Sequence, residues 1–168
     1  MMSLTQIARI DEHLYPILEK VSDPEIPVLT VLDLGVIREA KEEDGKVYIK
    51  LTPTYSGCPA MDVIGDDLRT AFTAAGMEAE VELVLAPAWS TDWISESGRE
   101  KMRAYGIAPP LDATSDKAAL LGDERLVPCT ICQSTNTRMV SQFGSTACKA
   151  LFQCDDCQEP FDYFKCLK

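Results

Sequence analysis

Two Cys-x-x-Cys pairs, Cys129-Thr130-Ile131-Cys132 and Cys154-Asp155-Asp156-Cys157, stand with 21 residues between them. Each such turn presents two sulfurs on one side, and two turns close a four-thiolate tetrahedron around Zn²⁺. A module of roughly 40 residues buries too little apolar surface to fold alone, so metal binding would supply its folding free energy. Between the pairs, Arg138-Met139-Val140-Ser141-Gln142-Phe143 and Ala150-Leu151-Phe152 have the composition of strands. The expectation is a zinc ribbon whose closed site is structural rather than catalytic. Iron or an iron–sulfur cluster suits the same sulfurs, which keeps an electron carrier as a rival.

Seven cysteines accompany a single histidine, His13, so chemistry that needs two histidines is excluded within one chain. No run of about 18 apolar residues occurs and the first ten residues lack a basic segment followed by an apolar core, so a cytoplasmic protein is expected. In that reducing compartment paired cysteines are metal ligands before they are disulfides. The formal net charge is −11, all of it in residues 1–126, while residues 127–168 carry four charges of each sign. That balance opposes nucleic acid and anionic membranes as partners.

The first part reads as a small α+β domain. Apolar residues at helical spacing over residues 6–21 predict a first helix, with a kink or break at Pro16. Residues 22–28, with Pro24 and Pro27, predict a rigid loop, and Asp44-Gly45 between alternating residues predicts a hairpin over 36–51. Met61, Ile64, Leu68, Phe72 and Ala75 form a stripe ending at Gly76, the most secure helix. A third strand is predicted over 80–85, stopped by Pro87, and a further helix over 95–105, ended by Gly106. The fold class expected is a small three-stranded sheet with helices, followed by the ribbon: a domain over 1–106, a linker over 107–126 and the metal module over 127–168.

Cys58 is the one cysteine of the first domain. With Pro59 at the first helical position it would be the N-cap, where free N–H groups and the helix dipole favour a thiolate, with Asp62 opposing. A cysteine that simply packs is the alternative. Asp23, Glu25 and Asp33, in turn-rich apolar contexts, are read as shaping the loop that meets Cys58. Trp89 and Trp93 are read as core or interface anchors, and Cys148 and Cys166 as buried thiols or additional functional ones.

Asp23-Pro24-Glu25-Ile26-Pro27-Val28, Asp33-Leu34-Gly35 and Ser56-Gly57-Cys58-Pro59 resemble the SufT-type iron–sulfur assembly domain. The Thr52-Pro53-Thr54-Tyr55 lead-in, Thr91-Asp92-Trp93, Phe143-Gly144-Ser145-Thr146-Ala147-Cys148-Lys149 and Glu159-Pro160-Phe161-Asp162-Tyr163-Phe164-Lys165-Cys166 narrow this. Together they resemble the PaaD family, accessory subunits encoded with the ring 1,2-phenylacetyl-CoA epoxidase of aerobic phenylacetate degradation. The resemblance implies a non-catalytic maturation role toward a di-iron oxygenase or an iron–sulfur reductase. It makes Cys58 the candidate transfer or transient metal-binding thiol, carrying iron or an iron–sulfur cluster. It makes Cys129, Cys132, Cys154 and Cys157 the ligands of a structural zinc. A scaffold subunit of the oxygenase complex is the alternative, and pairing with a second copy stays open.

Overall fold

A computed structural model describes residues 8–111, 121 and 127–165, and divides the chain into two units, Met1–Gly98 and Arg99–Lys168. In the first unit, the predicted helix over 6–21 is replaced by strand β1 (Arg9–Ile10), a 3₁₀ turn over Glu12–Leu14 and the single turn of α1 (Tyr15–Leu18). Two local forces explain the difference. Pro16 lacks an N–H and sits in the first turn of α1, where none is needed. Asp11 meanwhile donates its N–H to the Ala40 carbonyl (2.9 Å) and accepts from the Glu42 N–H through Oδ2 (2.9 Å), pinning the preceding residues to a neighbouring strand. The apolar spacing still reports burial, since Leu14, Leu18 and Val21 are all buried.

The loop over 22–28 is followed by α2 (Val31–Leu34), opened by a capping box in which the Asp33 N–H donates to Thr30 Oγ1 and the Thr30 N–H to Asp33 Oδ2, each at 3.1 Å. Strands β2 (Ile37–Glu43) and β3 (Lys46–Leu51) form the predicted hairpin. Asp44 and Gly45 take φ of 52° and 79°, the paired positive values of a two-residue turn matched to strand twist. The chain then crosses through α3 (Ala60–Ala74) to β4 (Glu78–Leu83), which lies parallel to β3. The order β1-β2-β3-β4 makes a four-stranded sheet, the three expected strands plus β1 parallel to β2. Val47, Ile49 and Leu51 are buried from β3, and Ile64, Leu68 and Phe72 from α3, giving the core its two layers.

The helix α4 (Glu96–Tyr105) ends, as predicted, at Gly106, whose φ is 94°. The second sheet comprises β5 (Ile107–Ala108), β6 (Thr137–Ser141), β7 (Lys149–Cys154) and β8 (Pro160–Phe164), in the order β5-β8-β7-β6. The first residues of the expected linker are therefore a strand: Ile107 pairs with Asp162 and Ala108 with Tyr163. No local pattern announces so distant a pairing. Residues 112–120 and 122–126 of that linker lie outside the described residues. The module core packs Phe152 edge-on against Tyr163 (5.3 Å between centroids) and beside Phe161 (5.9 Å). Among the described residues, no helix is long and apolar enough to cross a membrane.

Candidate functional site

The four ribbon cysteines converge. Their sulfurs all lie within 4.8 Å of one another, with Cys129 and Cys157 3.7 Å apart and Cys132 and Cys154 3.6 Å apart. A tetrahedron with metal–sulfur bonds of about 2.3 Å has edges of about 3.8 Å, so the donor set fits a metal of that size. Both knuckles are built alike. The Cys129 N–H donates to the Ser134 carbonyl (2.8 Å) and the Cys154 N–H to the Glu159 carbonyl (3.0 Å). Gln133 and Gln158, each directly after the second cysteine of its pair, take left-handed φ of 64° and 66°. Asp156 joins the knuckles by accepting from Ser134 Oγ and, at 2.7 Å, from Asn136 Nδ2.

Backbone N–H groups already serve these sulfurs as they would serve thiolates. The Ile131 N–H points at Cys129 Sγ (3.3 Å). The Cys157 and Asp156 N–H groups lower Cys154 to about 7. The Glu159 N–H pulls Cys157 the same way, but burial and three neighbouring sulfurs outweigh it and push that thiol up to about 12. Four sulfurs crowded together resist simultaneous ionisation until a cation joins them.

Cys58 lies in a different setting. The Cys58 N–H donates to the Tyr55 carbonyl (3.3 Å) and Gly57 takes φ 80°, a turn in which glycine supplies the left-handed third residue. The helix is capped by Pro59 rather than by Cys58, which precedes it, although the Cys58 carbonyl accepts the first helical N–H, from Met61, at 3.2 Å. The expected stabilised thiolate is corrected as well. Cys58 is 8% exposed, and burial is the largest influence on its thiol, raising it. The Ala60 N–H and the Tyr55 side chain bond to the sulfur and pull it down, while the charges of Glu25 and Asp23 push it up. The net direction is upward, because one or two hydrogen bonds do not replace the water lost.

Of the three acidic residues read as shaping the loop, Asp23 and Glu25 bear on Cys58 through their charge. Asp23 Oδ1 accepts the N–H groups of Glu25 and Ile26, each at 2.8 Å, which folds the loop back. Asp33 serves elsewhere: besides capping α2, its Oδ1 accepts from Ser95 Oγ (3.0 Å) and its carbonyl from the Ser95 N–H (2.8 Å). Trp89 is buried and donates Nε1–H to the Leu34 carbonyl at 2.8 Å. Sequence reasoning missed two residues here. Tyr55, three positions before Cys58, was within reach from the turn spacing. Arg38, stacked on the Trp93 ring at 3.7 Å beside a cavity of about 390 Å³, had no local signal. Cys148 is buried, its sulfur 3.1 Å from Thr146 Oγ1, and Cys166 lies outside the described residues.

Comparison with known proteins follows the same division. Residues 11–84 match the family described as iron–sulfur cluster assembly protein, and residues 113–165 match the PaaD zinc β-ribbon domain. Over 99% of this chain and 100% of the relative, the sequence is 47% identical to an Escherichia coli protein ascribed to the 1,2-phenylacetyl-CoA epoxidase as one of its subunits. It is 35% identical to an Fe-S protein maturation auxiliary factor of Porphyromonas gingivalis, over 54% of this chain and 89% of the relative. A crystal structure of a domain of unknown function from Bacillus anthracis superimposes with a TM-score of 0.50 at 29% identity, covering 54% of this chain and 88% of that one. An assembly domain and a four-cysteine ribbon in one chain, matched from end to end, mean that this protein belongs to the PaaD family of phenylacetyl-CoA epoxidase subunits.

Proposed function

We propose that the chain is a maturation factor for a multicomponent phenylacetyl-CoA epoxidase, assisting insertion of iron or an iron–sulfur cluster into its oxygenase or reductase subunit in the cytoplasm. The observation that carries this reading is the union, in one chain, of full-length likeness to an epoxidase subunit with an assembly-type domain holding a single cysteine under an acidic loop. Cys58 is the transfer thiol, and Asp23 and Glu25 supply negative charge beside it. Asp33 sets the geometry of the following segment. The ribbon cysteines hold one zinc, which fixes the fold of the second module and takes no part in transfer.

The test is a Cys58→Ala chain expressed with the epoxidase subunits. Epoxidase activity and reductase cluster content both fall if Cys58 transfers metal, and full retention of both refutes the role of Cys58. A scaffold reading is favoured by one observation, the near-complete burial of that thiol. Stoichiometric co-purification with the assembled oxygenase, insensitive to Cys58→Ala, selects the scaffold; substoichiometric association selects maturation. Colourless protein with one zinc per chain removes the iron–sulfur carrier.

A further inference from the structure

The open edge of the first sheet is β4. Its pairing with β3 runs without a shift from Lys46 opposite Glu78 to Leu51 opposite Leu83. The comparable edge of the second sheet, β6, is interrupted by a register shift between Met139 and Ser141, and the other edge strands are two residues long. Bulges, short strands, prolines and charged side chains are how sheets avoid further pairing, and β4 has only the last, in Glu78, Glu80 and Glu82, which repel an acidic strand and admit a basic one. The Val84 N–H donates to the Leu51 carbonyl (2.9 Å), so by alternation the backbone groups of Ala79, Val81 and Leu83 face away from β3. Among the described residues no strand takes them.

Each face beside this edge carries a depression suited to alternate side chains. On the outer face one of about 200 Å³ is lined by four glutamates against two lysines. Lys46 there bridges Glu78 and Glu80, while Glu82 enters no ion pair among the described residues. On the α3 face a groove of about 290 Å³ runs over Leu51, Met61, Val81 and Leu83, rimmed by Asp62 and the Asp66–Arg69 ion pair, and Leu83 is 53% exposed. A second copy pairing antiparallel about a two-fold axis normal to the sheet would set glutamate opposite glutamate, which is repulsive.

We propose that β4 receives an extended segment of a protein partner in which basic and apolar residues alternate: its backbone continues the sheet, its lysines or arginines meet Glu80 and Glu82, and its apolar side chains enter the Met61–Val81–Leu83 groove. Backbone bonds give such complexes affinity and alternate pockets give them specificity. The inference goes beyond the maturation reading and does not depend on Cys58.

The experiment titrates the full zinc-loaded chain, ¹⁵N-labelled, with acetyl-Lys-Val-Lys-Val-Lys-Val-amide. A second peptide, acetyl-Lys-Lys-Lys-Val-Val-Val-amide, has the same charge without the alternation. Saturable shifts at Ala79, Val81 and Leu83 amides, with the blocked peptide at least roughly tenfold weaker, are expected. Val81→Pro removes an outward N–H without touching the bonds to β3 and should weaken binding about tenfold. Glu82→Lys, which breaks none of the described ion pairs, should weaken it about fivefold and keeps the test decisive if the proline variant does not fold. Equal binding of the two peptides, shifts confined to other surfaces, or no saturation overturns the proposal.

Discussion

Gly35→Ala is the substitution whose cost the structure sets most directly. Gly35 closes α2 with φ 68°, and a Cβ built there would stand 2.7 Å from Trp93 Cβ and 2.9 Å from the Trp93 carbonyl carbon, with the carbonyl oxygen nearer still. Trp93 has little room to retreat, since Arg38 stacks on its ring and the neighbouring Ser95 is bonded to Asp33 at side chain and backbone. The left-handed backbone costs an alanine about 1–2 kcal/mol and the overlap about 1–3 kcal/mol more, so about 3 kcal/mol in all. Gly45→Ala supplies the control: φ is 79° but nothing lies within 4 Å of the added carbon, leaving about 1 kcal/mol. The chain has two tryptophans, Trp89 bonded to Leu34 and Trp93 against Gly35, so tryptophan fluorescence follows the first unit alone. With a urea slope of about 1.5 kcal/mol/M, the midpoint should fall about 2 M for Gly35→Ala and about 0.7 M for Gly45→Ala. Midpoints within about 0.3 M of each other would mean that the Trp93 backbone yields freely, and the argument from packing would fail.

Zinc removal should unfold the ribbon while leaving the first unit's fluorescence transition in place. Chelator titration followed by near-ultraviolet dichroism of Phe152, Phe161 and Tyr163 checks this, and Cys129→Ser should purify without the metal. Burial, with the charges of Glu25 and Asp23, holds the Cys58 proton more tightly than in the unfolded chain. Its alkylation by iodoacetamide, read by peptide mass spectrometry, should therefore be slower than that of a free cysteine at neutral pH and rise only above the ordinary thiol range near about 8.5. Because the native state retains that proton, stability from this group is present below the unfolded value and declines as pH rises through the window above it. Glu25→Gln should speed the reaction; faster alkylation of the native chain than of a free cysteine would contradict the assigned environment. Asp33→Ala removes the side-chain half of the α2 capping box, the acceptor of the Thr30 N–H, together with the acceptor of Ser95 Oγ, and should cost about 2 kcal/mol in the same urea assay.

What was legible in the sequence was whatever local chemistry specifies. Cys-x-x-Cys spacing brings sulfurs together in any folded context, and Asp44-Gly45 dictates its turn through two positive φ values. The α3 stripe is read from its own residues, four of which, Met61, Ile64, Leu68 and Phe72, are buried on one face. Pairings between distant segments were not legible. Arg9–Ile10 resembles helix until β2 is beside it, and Ile107–Ala108 resembles linker until β8 is. The Cys58 environment failed for the same reason. Its own neighbours, a proline and a helix start, argue for a thiolate, but burial by the folded chain is what raises the thiol instead, with smaller contributions from Glu25 and Asp23 in a loop far earlier in the chain.

That reversal bears on what Cys58 is built to do. A thiol activated for attack on an electrophile needs its proton gone at neutral pH, and here burial and two carboxylates oppose that loss. The same carboxylates have the opposite effect on a metal cation: a ferrous ion replacing the thiol proton neutralises the sulfur and is attracted by Asp23 and Glu25 at once. Fe²⁺ with one thiolate carries a single positive charge, which a neighbouring carboxylate offsets, so burial penalises that grouping far less than a lone thiolate beside the same carboxylates. On the maturation reading the site therefore holds its thiol protonated and unreactive when empty, and ionises it only as metal arrives. Replacing both carboxylates should separate the two behaviours. Asp23→Asn together with Glu25→Gln should make the empty thiol easier to alkylate while weakening anaerobic Fe²⁺ binding, followed by competition with a chromogenic chelator. A purely packed cysteine predicts the first change without the second.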